Sequence, residues 1–210
     1  MMKIDCRHVR KLMAKIVATL FFAELLLILA SWVVTAANLE INMRSLLSEE
    51  GVRWLFGHFT TNLLTPVLAW LLLLSIAYGA LRCSGIFVPL RAIRKISQAP
   101  YRQRFALQMV VLEILVVVIV LVLLTLMPHA PLLSVTGNLF PSSFSRSIVP
   151  VLAFCMTLFG LTYGAFSGSF TSLKDMFRAL YTGVISAAPL FVVYVFAAEL
   201  YFSILFVFGK

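Results

Sequence analysis

Five apolar stretches, each close to the length of a membrane-spanning helix, constrain this chain more than any other feature of its sequence. A helix needs about 20 apolar residues to cross a hydrocarbon core about 30 Å thick. Inside lipid, backbone N–H and C=O groups must be satisfied within the segment, and the alternating pattern of a barrel strand is absent. We therefore predict an all-α, polytopic integral membrane protein with helices near 16–37, 63–87, 105–127, 148–166 and 186–208.

The composition excludes a water-soluble fold of this length. Hydrophobic residues make up 62% of the 210 residues and charged residues 12%, whereas a soluble domain carries about 25% charged residues. Large exposed apolar patches make soluble proteins associate. We predict one membrane domain covering residues 1–210.

The basic residues predict the orientation. Thirteen of the seventeen lysines and arginines lie in the N-terminal tail and in the connections after the second and fourth stretches. The other side holds Arg44, Arg53, Arg146 and Lys210. Because short cytoplasmic loops carry the excess of Lys and Arg, we predict a multi-pass protein of the cell (inner) membrane with a cytoplasmic N-terminus.

Two features of the connections add to this topology. The loop after the second stretch carries a cytoplasmic basic cluster, and we expect it to face anionic lipid headgroups; its residues are Arg91, Arg94, Lys95, Arg102 and Arg104. Residues 48–60 predict a short interfacial helix on the outer surface, capped by Ser48 and with Trp54 at headgroup depth. Its apolar face consists of Val52, Leu55, Phe56 and Phe59.

The first stretch has an alternative interpretation as a cleaved signal peptide, because it follows a basic start and ends in the small residues Thr35, Ala36 and Ala37. Its apolar run is longer than a signal core of about 7 to 15 residues. An uncleaved anchor helix is the simpler interpretation.

Three glutamates fall inside the predicted spans: Glu24, Glu113 and Glu199. A charged side chain at mid-helix costs roughly 2.5 to 3.5 kcal/mol on insertion scales, so such residues are candidate functional sites. At 1.5 Å rise per residue, Glu24 and Glu113 share a depth, and Glu199 is expected farther toward the outside. Ion coupling, polar pairing between helices, and neutral acids bonded to a hydroxyl all remain open.

Glycines recur every fourth residue near the end of the fourth span, at Gly160, Gly164 and Gly168. Small residues at this spacing let helices approach closely. We predict helix packing or a dimer contact there. A backbone opening that binds substrate is the alternative.

The sequence contains no motif of an enzyme. The histidines His8, His58 and His129 are scattered, and neither a zinc spacing nor a phosphate-binding loop occurs. We therefore predict no catalytic residue, no metal site, no cofactor and no nucleic-acid partner, with the lipid bilayer as the surroundings.

Two blocks of sequence resemble the AbgT-type family of p-aminobenzoyl-glutamate transporters, which are sodium- or proton-linked carriers. The first block runs from Ser45-Leu46-Leu47-Ser48 through Glu50-Gly51 and Trp54 to Gly85. The second runs from about Arg104 to Phe202 and contains Ser147-Ile148-Val149-Pro150, Gly160-Leu161-Thr162-Tyr163-Gly164, Ser172-Leu173-Lys174-Asp175 and Phe196-Ala197-Ala198-Glu199.

The departures from the family decide what this resemblance implies. The family places a helical hairpin and further spans between the two blocks and continues into a second hairpin beyond them, and those hairpins hold its substrate and ions. Ser167-Gly168-Ser169 follows the Tyr-Gly motif and does not match the hairpin signature, and Glu199 stands where the family tends to have Gln. The resemblance therefore assigns no binding residue to this chain.

Three functional hypotheses follow. The resemblance favours a scaffold, the homodimerising frame of such a transporter, which works as a platform or beside a separate membrane protein partner. The second hypothesis is a small autonomous ion- or proton-coupled transporter or channel that uses the intramembrane glutamates. The third is an envelope assembly or lipid-interacting protein, which rests on the basic loop alone.

Overall fold

The computed structural model of the chain describes residues 6–37, 43–91, 100–126 and 143–209. All regular structure in these residues is helical, and the helices are α1 (Cys6–Ala37), α2 (Glu49–Leu63), α3 (Pro66–Ser84), α4 (Phe87–Arg91), α5 (Tyr101–Leu126), α6 (Ser143–Ser167) and α7 (Leu173–Val207). The predicted all-α class is confirmed.

Within the residues that the structure describes, five helical stretches are long and apolar enough to cross a membrane: Arg10–Ala37, Glu49–Ser84, Tyr101–Leu124, Ser147–Ser167 and Leu173–Val207. The predicted number of about five spans is therefore confirmed. The second stretch contains both α2 and α3, and α7 begins at Leu173, well before the predicted start at residue 186. The chain is a multi-pass membrane protein.

Local capping works as the sequence predicts around α2 and α3. The side chain of Ser48 accepts a hydrogen bond from the backbone N–H of Gly51 (3.1 Å), and Glu49 and Glu50 occupy the first turn of α2. Acidic residues there interact favourably with the positive end of the helix dipole. Pro66 opens α3, where its missing N–H costs no helical hydrogen bond.

The chain divides into two compact units. Unit 1 is Met1–Ala69 together with Ala187–Lys210, and unit 2 is Trp70–Ser186. Helices α3 and α7 each contribute residues to both units. That all 210 residues act as one membrane domain remains a prediction.

In unit 1, α1 and α7 pack side by side in the same direction. The rings of Phe21 and Phe196 meet edge to face (6.2 Å between centroids), and farther along both helices Glu24 meets Ser203. Beyond these contacts, Leu27 and Ile28 pack against the buried core that includes Val207. The backbone N–H of Arg44 bonds to the carbonyl of Val207 (3.0 Å) and anchors the connecting segment to α7.

Helix α2 runs alongside α7 in the opposite direction within unit 1. Trp54, near the start of α2, stacks on Phe206 (4.6 Å between centroids), and Asn62, near its end, reaches Glu199. The apolar face predicted at Val52, Leu55, Phe56 and Phe59 points away from these contacts, and Phe56 is 80% exposed. This is the expected arrangement where the solvent is lipid. The position of α2 at the membrane surface remains a prediction.

The break between α2 and α3 is stabilised by Tyr194 of α7. Its hydroxyl donates to the backbone carbonyl of Leu63 (2.8 Å) and accepts from Thr65 (2.6 Å). Carbonyls at the end of a helix lack intrahelical partners, and inside lipid they must find others. Tyr194 supplies one.

In unit 2, α5 and α6 pack in opposite directions. Phe105 meets Phe166 edge to face (5.6 Å between centroids), and Tyr163, 2% exposed, joins Ala106 and Val110 in the core. Helices α3 and α7 meet at glycines: a Cβ built on Gly183 would lie 2.8 Å from the Cα of Gly79. Only glycine permits this separation of the two backbones.

Candidate functional site

The three intramembrane glutamates divide between the two units. Glu24 of α1 and Glu199 of α7 both lie in unit 1, whereas Glu113 of α5 lies in unit 2. Each carboxyl group has one oxygen that accepts a hydrogen bond from a neutral side chain and one buried oxygen with no hydrogen-bond partner among the described residues. The surroundings of the three groups nevertheless differ.

Glu24 contacts α7 through Ser203. The hydroxyl of Ser203, which is fully buried, donates to Oε1 of Glu24 at 2.7 Å. Residue 203 lies one helical turn after Glu199, and side chains at i and i+4 share one face of a helix. Glu24 and Glu199 therefore project toward the same region.

Glu199 is held from the other side by α2. The amide nitrogen of Asn62, itself 5% exposed, donates to Oε2 of Glu199 at 3.3 Å. Glu199 is 9% exposed, so its second oxygen, Oε1, is buried as well. Three helices thus contribute two neighbouring hydrogen-bonded pairs, which we call the carboxyl cluster: Glu24, Asn62, Glu199 and Ser203.

A cavity of about 600 Å³ reaches the carboxyl cluster through Asn62. Charged, aromatic and aliphatic residues share the rest of its lining, among them Arg44, Trp54 and Leu205. Its two arginines are paired with glutamates, Arg44 with Glu50 (3.6 Å) and Arg53 with Glu49 (2.9 Å). The cavity lining is therefore mainly apolar, with ion-paired arginines and one neutral amide, Asn62, that contacts Glu199.

Among the described residues, Glu113 in unit 2 has one hydrogen-bond partner. The hydroxyl of Thr162 on α6 donates to its Oε1 at 3.3 Å. This contact joins α5 to α6 as a polar pairing between helices, one of the interpretations left open by the sequence. No second carboxyl group approaches Glu113 within the part of unit 2 that the structure describes.

The expected depths of the glutamates differ from those in the structure. Glu199 was expected farther toward the outside than Glu24, but Glu24 contacts Ser203, which lies beyond Glu199 along α7. Counting residues from predicted helix ends cannot place two helices relative to each other, because their alignment depends on the contacts between them. The contact between α1 and α7 brings the two glutamates to similar positions along the helices.

The glycines predicted for packing have three different surroundings. A Cβ on Gly160 would lie 2.8 Å from the backbone of Ala80, so α6 and α3 touch there inside unit 2. A Cβ on Gly164 would overlap the ring of Phe170. Gly168 has a positive φ of 82° and follows the end of α6 at Ser167. A dimer contact through these glycines remains a prediction.

The basic cluster is only partly visible. Arg102 and Arg104 lie exposed in the first turn of α5. Arg91 ends α4, and Arg94 and Lys95 lie outside the described residues. No group of three His, Cys, Asp or Glu side chains in the described part of the chain could hold a metal ion.

Comparison with known proteins decides the family. A profile of the AbgT putative transporter family matches residues 90–207, which is more than half of the chain. The chain belongs to the AbgT family. Membership points to membrane transport rather than to enzymatic catalysis. No curated protein matches the chain significantly.

A solved structure shares the AbgT fold of this chain. The YdaH transporter of Alcanivorax borkumensis, whose crystal structure is described as revealing an unusual topology, superposes with a TM-score of 0.70. The two sequences are 16% identical, and the match covers 88% of this chain and 69% of that chain. At this identity the likeness establishes the fold. The resemblance stated from the two sequence blocks is thereby confirmed.

Sequence reasoning missed four residues of these contacts. Asn62 and Ser203 complete the carboxyl cluster, and Gly79 and Gly183 let the backbones of α3 and α7 approach closely in unit 2. A polar side chain at a helix position that faces other helices was the available signal for Asn62 and Ser203. Gly79 and Gly183 have no glycine four residues away, so the spacing that drew attention to Gly160 did not include them.

Proposed function

We propose that this chain is a membrane scaffold, the homodimer-forming frame of an AbgT-family transporter, which acts as a platform or as a subunit beside a separate transport component. In this proposal it is neither a complete carrier nor an enzyme. It lies in the cell (inner) membrane with its N-terminus in the cytoplasm.

The observation that carries the proposal is the short connection between α3 and α5. Helix α3 ends at Ser84 and α5 begins at Tyr101, and the described part of the connection contains the short helix α4. A further span needs about 20 residues, so residues 85–100 have no room for one. The resemblance implies a substrate-holding hairpin and further spans at this place.

The form of the helices supports the same proposal. Carriers built from inverted repeats bind substrate at the midplane, where discontinuous helices leave backbone groups free for ligands. In this chain α5 is an uninterrupted helix of 26 residues, and α7 continues for 35 residues through Pro189. These two continuous helices therefore do not leave backbone groups free to bind a ligand, as discontinuous helices do.

Transport by the chain alone is the decisive test. The purified protein is reconstituted into sealed vesicles, and uptake of radiolabelled p-aminobenzoyl-glutamate is followed under sodium and proton gradients, with protein-free vesicles as the control. We expect no uptake above the control. Coupled uptake by the purified chain would overturn the scaffold proposal.

Dimerisation is tested separately by measuring the mass of the protein in lipid nanodiscs and in several mild detergents. We expect twice the chain mass in lipid, because a frame that faces a transport component retains an apolar surface that packs on its own copy. A monomeric mass under every condition would contradict this part of the proposal.

One observation favours the second candidate, a small ion- or proton-coupled transporter. Asn62 donates to Glu199 and also lines the cavity, so a polar path leads from the cavity to a buried acid. This candidate predicts a proton or ion flux that Glu199→Gln abolishes while Glu113→Gln leaves it intact. Equal fluxes in wild-type and Glu199→Gln vesicles would exclude it.

A further inference from the structure

We propose that Glu24 and Glu199 form a proton-binding site, in which one proton is shared between the two carboxyl groups inside unit 1. The proposal goes beyond the scaffold function and does not depend on it, because a bound proton is detected whether or not the chain carries a substrate.

The first step of the argument is the hydrogen bonding that the two carboxyl groups lack. Ser203 and Asn62 each donate to one oxygen, Oε1 of Glu24 and Oε2 of Glu199. The remaining oxygens, Oε2 of Glu24 and Oε1 of Glu199, are buried and have no partner among the described residues. A buried acceptor without a donor is costly, and a proton bound by either carboxyl group turns one of these oxygens into a hydroxyl donor and removes one of the two negative charges.

The second step is charge. Glu24 contacts Ser203 one helical turn from Glu199, so ionising both acids would place two like charges near each other in surroundings of low dielectric constant. Two carboxyl groups that share a site keep one proton between them for this reason. Glu199 is more than nine-tenths buried, so solvent does not screen this repulsion.

The third step is the absence of a neutralising base in contact with the pair within the described part of unit 1. Helix α2 contributes the neutral Asn62, and α7 contributes the neutral Ser203. The basic residues Arg10, Lys11 and Lys15 lie more than two turns before Glu24 on α1. Around the cavity, Arg44 and Arg53 are paired with Glu50 and Glu49, and His58 stacks on Trp54.

The cavity gives the proton a route of exchange. Asn62 lines the cavity and touches Glu199. Water that enters the cavity can therefore reach the amide that bonds to the acid, which allows the proton to equilibrate with the medium. By contrast, Glu113 has no second carboxyl beside it among the described residues and serves as an internal control.

The test counts protonated carboxyl groups by infrared spectroscopy of the full-length protein in lipid near neutral pH. The C=O stretch of a protonated acid is separate from the bands of carboxylates and amides. Spectra are compared for wild type, Glu24→Gln, Glu199→Gln and the double variant, with Glu113→Gln as the matched control. Circular dichroism and thermal melting confirm that each variant is folded.

A shared proton makes the two substitutions non-additive. Glu24→Gln and Glu199→Gln should each remove the same band, because the remaining acid loses its like-charged neighbour and gains an amide donor. The double variant should remove no more than either single one, and Glu113→Gln should leave this band in place.

Two results would overturn the proposal. If each single variant removes part of the C=O band and the double variant removes the sum of both parts, each acid binds its own proton and no proton is shared. If none of the three variants changes the band, both groups are ionised and a cation neutralises them instead. Should one single variant fail to fold, the other and the double variant still distinguish these cases.

Discussion

Unit 1 and unit 2 hold their helices together by different means. In unit 1, α1, α2 and α7 meet through polar and aromatic side chains: Ser203 with Glu24, Asn62 with Glu199, and Trp54 with Phe206. In unit 2, backbones meet directly at Gly79 and Gly183. Since lipid removes the hydrophobic drive for helix association, close packing and polar contacts must supply it. In this chain, polar contacts mainly stabilise unit 1, and close backbone packing mainly stabilises unit 2.

The difference has a functional consequence. Backbone contact at glycine leaves no side chain that could change its protonation or bind a ligand, so unit 2 is built for rigidity at that contact. Unit 1 contains buried acids, which cost free energy inside a membrane. Such residues in membranes are commonly functional. The proposed proton-binding site lies in unit 1, where two acids project toward the same region, whereas the described part of unit 2 buries one acid, Glu113.

The largest effect is expected from breaking the glycine contact in unit 2. In Gly183→Leu the new side chain would overlap the backbone of Ser75 and Gly79, and neither backbone can move without separating α3 from α7. Overpacking costs about 1–3 kcal/mol and occasionally more, so we expect a loss of about 3 kcal/mol. Equilibrium unfolding in mild detergent measures it.

The matched control is the same substitution at Gly57 of α2, where a Cβ meets nothing within 4 Å. Gly57→Leu should leave the free energy of unfolding unchanged or raise it by about 0.5–1 kcal/mol, because leucine favours a helix over glycine. If both variants were equally stable, backbone contact would not be what holds unit 2 together.

The polar contact in unit 1 is expected to give the next largest effect. Asn62→Leu removes the only donor seen on Glu199 in the described residues and leaves both oxygens of a buried acid without a partner. An unsatisfied buried group costs about 1–3 kcal/mol, and we expect a loss of about 2 kcal/mol on unfolding.

Gln108→Leu on the exposed face of α5 is the matched control for this change, because it also replaces an amide by leucine. It should have little effect on stability in detergent. A loss in Gln108→Leu as large as that in Asn62→Leu would show that the amide of Asn62 has no particular role at Glu199.

Sequence reasoning predicted the helices well because lipid enforces them locally. A run of apolar residues must become a helix to satisfy its own backbone, and the cap at Ser48 and the start at Pro66 depend on neighbouring residues only. The family, too, could be recognised from two blocks of sequence, and the profile match confirms it.

The partners across helices could not be predicted in the same way. Ser203 meets Glu24 across 179 positions of sequence, and that contact depends on how α1 and α7 are aligned. The apolar face of α2 also did not reveal which residues of α2 contact other helices, because in lipid such a face points outward. The face of α2 that packs carries Gly51, Trp54 and Asn62. The sequence singled out the three glutamates because burying a charge in a membrane is costly, but their contacts with other helices were visible only in the fold.

The smallest effect is expected at a polar contact between α5 and α6 in unit 2, and it tests the comparison between the units most finely. Thr162→Val keeps the shape of the side chain and removes the hydroxyl that donates to Glu113. Hydrogen bonds between membrane helices average about 0.6 kcal/mol, and we expect a loss of that order. Thr157→Val is the control, since Thr157 donates to Ala153 within its own helix. A loss at Thr162 as large as that at Asn62 would mean that unit 2, like unit 1, depends on a buried acid and its donor, and the distinction between the two units would then fail.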